Sequence, residues 1–202
     1  MIALIDYQAG NLTSVRKALA EVGADVYTPE SAAGLVDAAG IIVPGVGHFG
    51  ATRALDAEWR RAILAHIGEG RPLLGICLGM QWLFEDSEEA PDVAGLGLLA
   101  GSCRRLRPGA AGSSLKIPHV GWNSLDRRRE GSIAEGVPQA SQVYFTHSYV
   151  APVTGDTVAA TEHGEVFASI VQRGQVTGVQ FHPEKSGDVG LLILRNFLRM
   201  AG

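Results

Sequence analysis

Cysteine is scarce: the 202 residues include only Cys77 and Cys103. Two cysteines cannot build a disulfide framework, so a reducing compartment is expected. Charge is also sparse, with 19% Asp, Glu, Lys and Arg and a net charge of −4. That balance argues against a nucleic-acid partner, which would call for a basic face. Two local basic clusters, Arg104, Arg105 and Arg107, and Arg127-Arg128-Arg129, read as solvated loops or strand ends. No uncharged apolar run approaches membrane-spanning length. The opening MIALID meets Asp6 at once, without the basic n-region of a secretory signal. The expected location is cytoplasmic, away from membranes. Metal-ligand spacing, a dinucleotide fingerprint, internal repeats and low-complexity tracts are also missing, so no metal or cofactor is expected. What is abundant is apolar sequence, 46% of the chain, enough for one domain over residues 1–202 with a sizeable core.

The most informative stretch is Pro72 to Phe84, PLLGICLGMQWLF. A short apolar run enters from a turn, as in a strand covered on both faces. It meets Gly75-Ile76-Cys77-Leu78-Gly79, and a helix-compatible segment follows. This is the small–x–nucleophile–x–small pattern of a nucleophile elbow, with Cys in place of Ser. A sharp strand-to-helix turn leaves no room for a Cβ on either side, which explains the glycines. A cysteine there sits at a helix N-terminus, where N–H groups favour its thiolate. An isolated cysteine reads more simply as a buried structural residue, and Cys103, with no motif around it, is read that way. The flanking glycines make Cys77 the candidate nucleophile.

Strands alternate with helical segments through the first half. Ile2 to Ile5, Ala24 to Thr28 and Gly40 to Val43 read as strands. Leu12, Val15, Leu19 and Val22 mark one helix, closed by Gly23, and Leu55, Trp59, Ile63 and Ile67 mark another. This order predicts right-handed crossovers and a mostly parallel sheet flanked by helices, a three-layer α/β fold. Beyond Leu96 the strand-like runs follow one another: Gln142–Val150, Thr157–Thr161, Val166–Val171 and Gln175–Phe181. Hairpin turns at His163-Gly164 and Arg173-Gly174 predict antiparallel strands added to one side of that sheet. A last helix, Val189 to Met200, packs Leu192, Ile193, Phe197 and Leu198 against it.

A thiolate that attacks a carbonyl needs a base to carry its proton and a third group to hold the base. The segment Val179-Gln180-Phe181-His182-Pro183-Glu184 offers both. In extended backbone, side chains two apart leave on the same face, and Pro183 keeps His182 out of helical geometry. A lone His-Pro-Glu is an ordinary strand-end turn; combined with the elbow it completes a candidate triad, Cys77, His182 and Glu184. The developing oxyanion needs fixed N–H donors. Leu78, the residue after the nucleophile, offers one, and the loop Pro44-Gly45-Val46-Gly47 offers a second through Val46. That loop could also be read as a phosphate cradle, but it lacks the GKS or GKT ending of a Walker motif.

GICLGMQ together with HPE resembles the class I (triad) glutamine amidotransferases, which hydrolyse glutamine to glutamate and ammonia. PGVGHFG, KIPHVGWN, YFTHSY and QFHPEKS narrow the likeness to members that pass ammonia to a (β/α)8-barrel cyclase subunit in amino-acid biosynthesis. It runs from Asp6 to Lys185. The resemblance implies a class I amidotransferase-like fold, glutamine as substrate, and substrate contacts at Gly45, Gly47, Gln81, Ser148 and Tyr149. It also implies that Asn11, His119, Trp122 and Lys185 lie toward the partner. One departure is Gln8, where the family usually has glycine after the Tyr of its first loop, so the shape of residues 7–11 is open. Two other readings remain: a stand-alone cysteine hydrolase or a glutaminase serving another synthase, and a non-catalytic regulator. The intact Cys77, His182 and Glu184 weigh against the regulator.

Overall fold

The computed structural model describes residues 1–107, 109 and 115–202. Its first half follows the predicted alternation: β1 (Ile2–Leu4), α1 (Leu12–Glu21), β2 (Val26–Tyr27), β3 (Gly40–Val43), α2 (Ala57–Gly68), β4 (Leu73–Ile76) and α3 (Leu78–Trp82). Then come β5 (Asp86–Ser87), β6 (Ser102–Arg105), β7 (His119–Ser124), β8 (Asp126–Arg127), β9 (Gln142–His147) and β10 (Tyr149–Val150). The chain ends with β11 (Thr157–Glu162), β12 (Val166–Arg173), β13 (Val176–Val179) and α4 (Gly187–Ala201).

Among the described residues the main sheet has the order β2-β1-β3-β4-β13-β12-β11-β8. Strands β1 to β4 and β13 run parallel, whereas β11 and β12 add antiparallel hairpin pairings. Side chains alternate across this sheet, and both faces are buried. Leu4, Ile42, Leu74 and Ile76 join the layer containing Val15, Leu19, Ile193 and Phe197. Ala3, Ile41, Val43 and Leu73 join the layer with Phe49, Ile63, Met80 and Trp82. A period-two pattern with no polar face is what a sheet covered on both sides requires.

Several details depart from expectation. The expected Ala24–Thr28 strand keeps only β2. Leu55 precedes α2, which begins after Asp56; the Asp56 side chain accepts from the Glu58 and Trp59 N–H groups. The expected Gln142–Val150 strand breaks at Ser148 into β9 and β10. Not every later strand joins the main sheet. β7 pairs with β9 as a separate ribbon, and β10-β6-β5 form a third small sheet. In α4, Ile193, Leu194 and Phe197 are buried, while Leu192 and Leu198 are only partly so. Among the described residues no helix is long and apolar enough to cross a membrane.

Candidate active site

The site is set by which strands lie side by side. β4 and β13 are parallel neighbours with Ile76 opposite Val179, and the Cys77 N–H donates to the Val179 carbonyl at 2.8 Å. Two segments about a hundred residues apart in sequence therefore end at the same edge. At the end of β4 the chain turns sharply into α3, and Cys77 takes φ +52°. A left-handed backbone at a non-glycine residue is a strained geometry that its surroundings must enforce. The flanking glycines make the turn possible. A Cβ on Gly75 would stand 2.6 Å from the Gly79 backbone, and one on Gly79 would stand 1.8 Å from the Val43 carbonyl oxygen. Helix α3 is only five residues long, so less dipole acts on the sulfur than a full helix would supply.

His182 and Glu184 stand beyond β13. Nδ1 of His182 and Oε1 of Glu184 are 2.8 Å apart, and both side chains are almost fully buried. The carboxylate can only accept, so Nδ1 carries the hydrogen and Nε2 faces the sulfur. Nε2 is buried and makes no hydrogen bond of regular geometry among the described residues. Burial disfavours the imidazolium, but hydrogen bonding and charge from Cys77 and Glu184 outweigh it and raise the pKa to about 10. The three candidate groups thus meet, with sulfur, ring and carboxylate in the order acyl transfer needs.

The two expected oxyanion donors are engaged elsewhere. The Leu78 N–H donates to the Gly45 carbonyl at 3.3 Å, and the Val46 N–H donates to the Ala9 carbonyl at 2.8 Å. The Gly45 carbonyl and Val46 N–H belong to one peptide unit. That single plane both covers Leu78 and turns Val46 away. Only glycine fits at position 45, where a Cβ would lie 2.1 Å from the Tyr7 hydroxyl and 2.8 Å from Leu78.

A cavity of about 300 Å³ opens beside the sulfur, lined by Cys77 and by the expected Gly47, Leu78, Gln81, Ser148 and Tyr149. Gly45 and Val46 are not part of its lining. Glu89, Pro118 and Thr146 also line it and were missed in the sequence; His147, in a segment that the sequence assigns to the site or partner face, lines it too. None belongs to a spacing that signals chemistry, although Pro118 lies inside the quoted KIPHVGWN, and Thr146 and His147 inside YFTHSY. Ser148 and Tyr149 line the cavity where β9 gives way to β10. Gln81 gives its amide hydrogens to the Tyr149 carbonyl at 2.9 Å and Gln180 Oε1 at 3.0 Å. Its Oε1 is the atom left to accept from a ligand.

The expected partner-facing residues separate. Asn11 is exposed and caps α1 by accepting from the Ser14 N–H. Lys185 is exposed, with Nζ 5.7 Å from the Tyr144 ring centre, and Trp122 meets the same ring edge-on. Trp122 and Val120 are each 57% exposed. His119 is instead buried, stacked between Phe145 and His163, so it supports that surface from beneath. Cys103 is fully buried, and burial pushes its thiol up. Gln8 takes φ +62°, the left-handed backbone that a glycine would occupy freely, and its N–H donates to Asp6 at 2.9 Å. Among the described residues no group of three or more His, Cys, Asp or Glu side chains is arranged to hold a metal ion.

A parallel sheet carrying an elbow cysteine beside a His–Glu pair defines a class of enzyme, and comparison with known proteins agrees. The chain matches the family "Glutamine amidotransferase class-I" over residues 3–201; it belongs to that family. At finer grain, it is 47% identical over 201 residues to the imidazole glycerol phosphate synthase subunit HisH of Xanthomonas euvesicatoria pv. vesicatoria, covering 99% of this chain and 98% of that one. The HisH subunit of Bacillus cereus is 44% identical over 202 residues, with 98% and 93% covered. Among solved structures, a glutamine amidotransferase matches with TM-score 0.76 at 22% identity, covering both chains fully. PurLQS from Thermotoga maritima matches with TM-score 0.73 at 17% identity, covering 98% and 97%. At such identities these two likenesses establish the fold.

Proposed function

We propose that this chain is the glutaminase subunit of an imidazole glycerol phosphate synthase, acting in histidine biosynthesis as one amidotransferase domain over residues 1–202. The observation that supports the reading is Cys77 on the cavity wall at the end of β4, with the buried His182–Glu184 pair beyond the neighbouring end of β13, in a chain 47% identical to HisH subunits. His182 takes the proton of Cys77, and the thiolate attacks the side-chain carbonyl carbon of glutamine. The carbon–nitrogen bond breaks as His182 returns the proton to the leaving ammonia. Water, deprotonated by His182, then cleaves the glutamyl thioester to glutamate. Glu184 holds the ring through both halves. Gln81 Oε1 and the Glu89 carboxylate are acceptors suited to the substrate's ammonium, with the backbone at Gly47, Ser148 and Tyr149 completing its seat.

The partner is a (β/α)8-barrel cyclase subunit. It uses the ammonia to turn a ribulosyl formimino nucleotide into imidazole glycerol phosphate and aminoimidazole carboxamide ribotide. Asn11, Trp122 and Lys185 face it, with His119 beneath. The cytoplasm is the expected compartment, in keeping with two free, buried cysteines.

The engaged oxyanion donors favour this partner-dependent reading over a stand-alone hydrolase. Rotating the Gly45–Val46 peptide uncovers Leu78 and redirects Val46 in one movement. The rotation breaks two hydrogen bonds, each about 0.5–1.5 kcal/mol net, a cost that a partner's differential binding can offset. Ammonia release from glutamine, measured with and without the cyclase and its nucleotide, tests the assignment. Strong stimulation is expected. Full activity of the chain alone would make it an independent hydrolase, and no activity under any condition would make it a regulator. Cys77→Ala is expected to lower turnover by at least ~10³-fold, and Val46→Pro, which removes the movable N–H, to weaken the stimulated rate.

A further inference from the structure

Gln180 is fully buried at the end of β13, and its amide is pinned at both ends. Its Nε2 lies 3.6 Å from Cys77 Sγ, and its Oε1 lies 3.0 Å from Gln81 Nε2. Side-chain amides can be placed either way round, so the question is what fixes this one. The answer begins at a backbone carbonyl, which can only accept. The Tyr149 carbonyl lies 2.9 Å from Gln81 and 3.0 Å from His147 Nδ1. Gln81 must therefore present its NH₂ there. The second hydrogen of that NH₂ requires an acceptor from Gln180, so Oε1 of Gln180 turns toward Gln81 and Nε2 toward the sulfur.

The same logic sets the histidines. His147 carries its hydrogen on Nδ1, leaving Nε2 to accept from His119 Nδ1 at 3.1 Å. His119 Nε2 in turn lies 3.3 Å from the Asn123 amide nitrogen. Every hydrogen in the chain then has one direction, provided both rings stay neutral. They do: burial, reinforced by neighbouring histidines, lowers His119 to about 4 and His147 to about 3.

We propose that Gln180 is a further catalytic residue, donating a hydrogen bond to the Cys77 sulfur and held in that orientation by Gln81. A thiolate accepts such a bond more strongly than a thiol does, so the contact favours the attacking form. It also holds the sulfur toward the cavity. When the carbon–sulfur bond forms, the negative charge leaves the sulfur and the Gln180 bond weakens. Its contribution therefore lies in preparing the nucleophile. The inference concerns the sulfur and does not need the identity of the partner.

The test is the rate at which iodoacetamide alkylates Cys77 at neutral pH in the full chain, resolved from Cys103 by peptide mass spectrometry. Gln180→Glu keeps the shape and the acceptor for Gln81 but replaces the donor with a negative oxygen. We expect at least tenfold slower alkylation of Cys77 with Cys103 still protected, and a comparable fall in kcat. Gln180→Leu, which removes the donor without adding charge, is expected to slow it less. Unchanged alkylation in both folded variants overturns the proposal. If either variant unfolds, seen as Cys103 becoming reactive, Gln81→Leu replaces it. That change frees the Gln180 amide to turn and is expected to slow Cys77 alkylation, and an unchanged rate there also overturns the idea. No substrate enters the alkylation assay, so its outcome is separable from the glutaminase reading, which ammonia release decides.

Discussion

At His182 burial opposes the imidazolium while Cys77 and Glu184 favour it, and the favourable contacts prevail. A folded-state pKa near 10, above the unfolded value of 6.5, means that the contribution to stability is complete below pH 6.5 and lost as the pH climbs toward 10. His119 and His147 are the reverse case, with folded values near 4 and 3. Their contribution is complete above pH 6.5 and fades as the pH falls through those values. Thermal melting across pH should therefore decline on both sides of a middle plateau. His182→Asn is expected to make the alkaline limb shallower, the buried Cys103 thiol still contributing there, and His147→Asn the acid limb, where His119 still contributes. At this scale the sequence was legible where partners are neighbours, as with the elbow glycines and His-Pro-Glu. It was silent on Gln180, because a buried glutamine just past a strand acquires its role only from a sulfur 103 positions away. It did not reveal the burial of His119 for a similar reason. Its burial between Phe145 and His163 arises from the β7–β9 pairing and from the turn after β11, which no local pattern announces.

Two backbone elements make opposite demands on glycine. In the elbow, a Cβ at Gly79 would sit 1.8 Å from Val43 O, a rigid backbone atom. Gly79→Ala should cost at least about 1–3 kcal/mol, as overpacking does, and denaturant unfolding would measure it. In the first loop the left-handed position is held by Gln8. Gln8→Gly removes that strain but loosens the unfolded chain, so the same measurement should find it neutral to about 1 kcal/mol stabilising. Elements with strong periodicity or sharp punctuation were readable, among them β3, α1 with Gly23 after it, and the two late hairpins. The break between β9 and β10 was not, since YFTHSYV is uniformly strand-like. Competition between two sheets, rather than local propensity, ends the strand there.

Taken whole, the molecule presents an apolar strand face where Val120 and Trp122 project from β7 beside Tyr144 and Lys185. An exposed tryptophan with a cation and a second ring at its flank is the composition of an interface anchor. Trp122→Ala should weaken binding of the proposed cyclase partner by about 2 kcal/mol, roughly 30-fold in Kd, as calorimetric titration would show. The parallel three-layer plan followed from the order of strands and helices in the first half, and the antiparallel addition from the turns in the second. The two side sheets did not, because nothing local to β7 or β10 distinguishes an edge ribbon from another strand of the main sheet.

The pairing of β4 with β13 has a practical consequence. Along a strand, neighbouring residues look to opposite sides, so slippage by one position would keep the ladder nearly intact yet aim the ring away from the sulfur. A preparation misaligned in that way would pass for native by circular dichroism and still release no ammonia. Glutamine turnover is therefore a gauge of alignment between two distant stretches of chain, sensitive to an error that measures of bulk folding overlook.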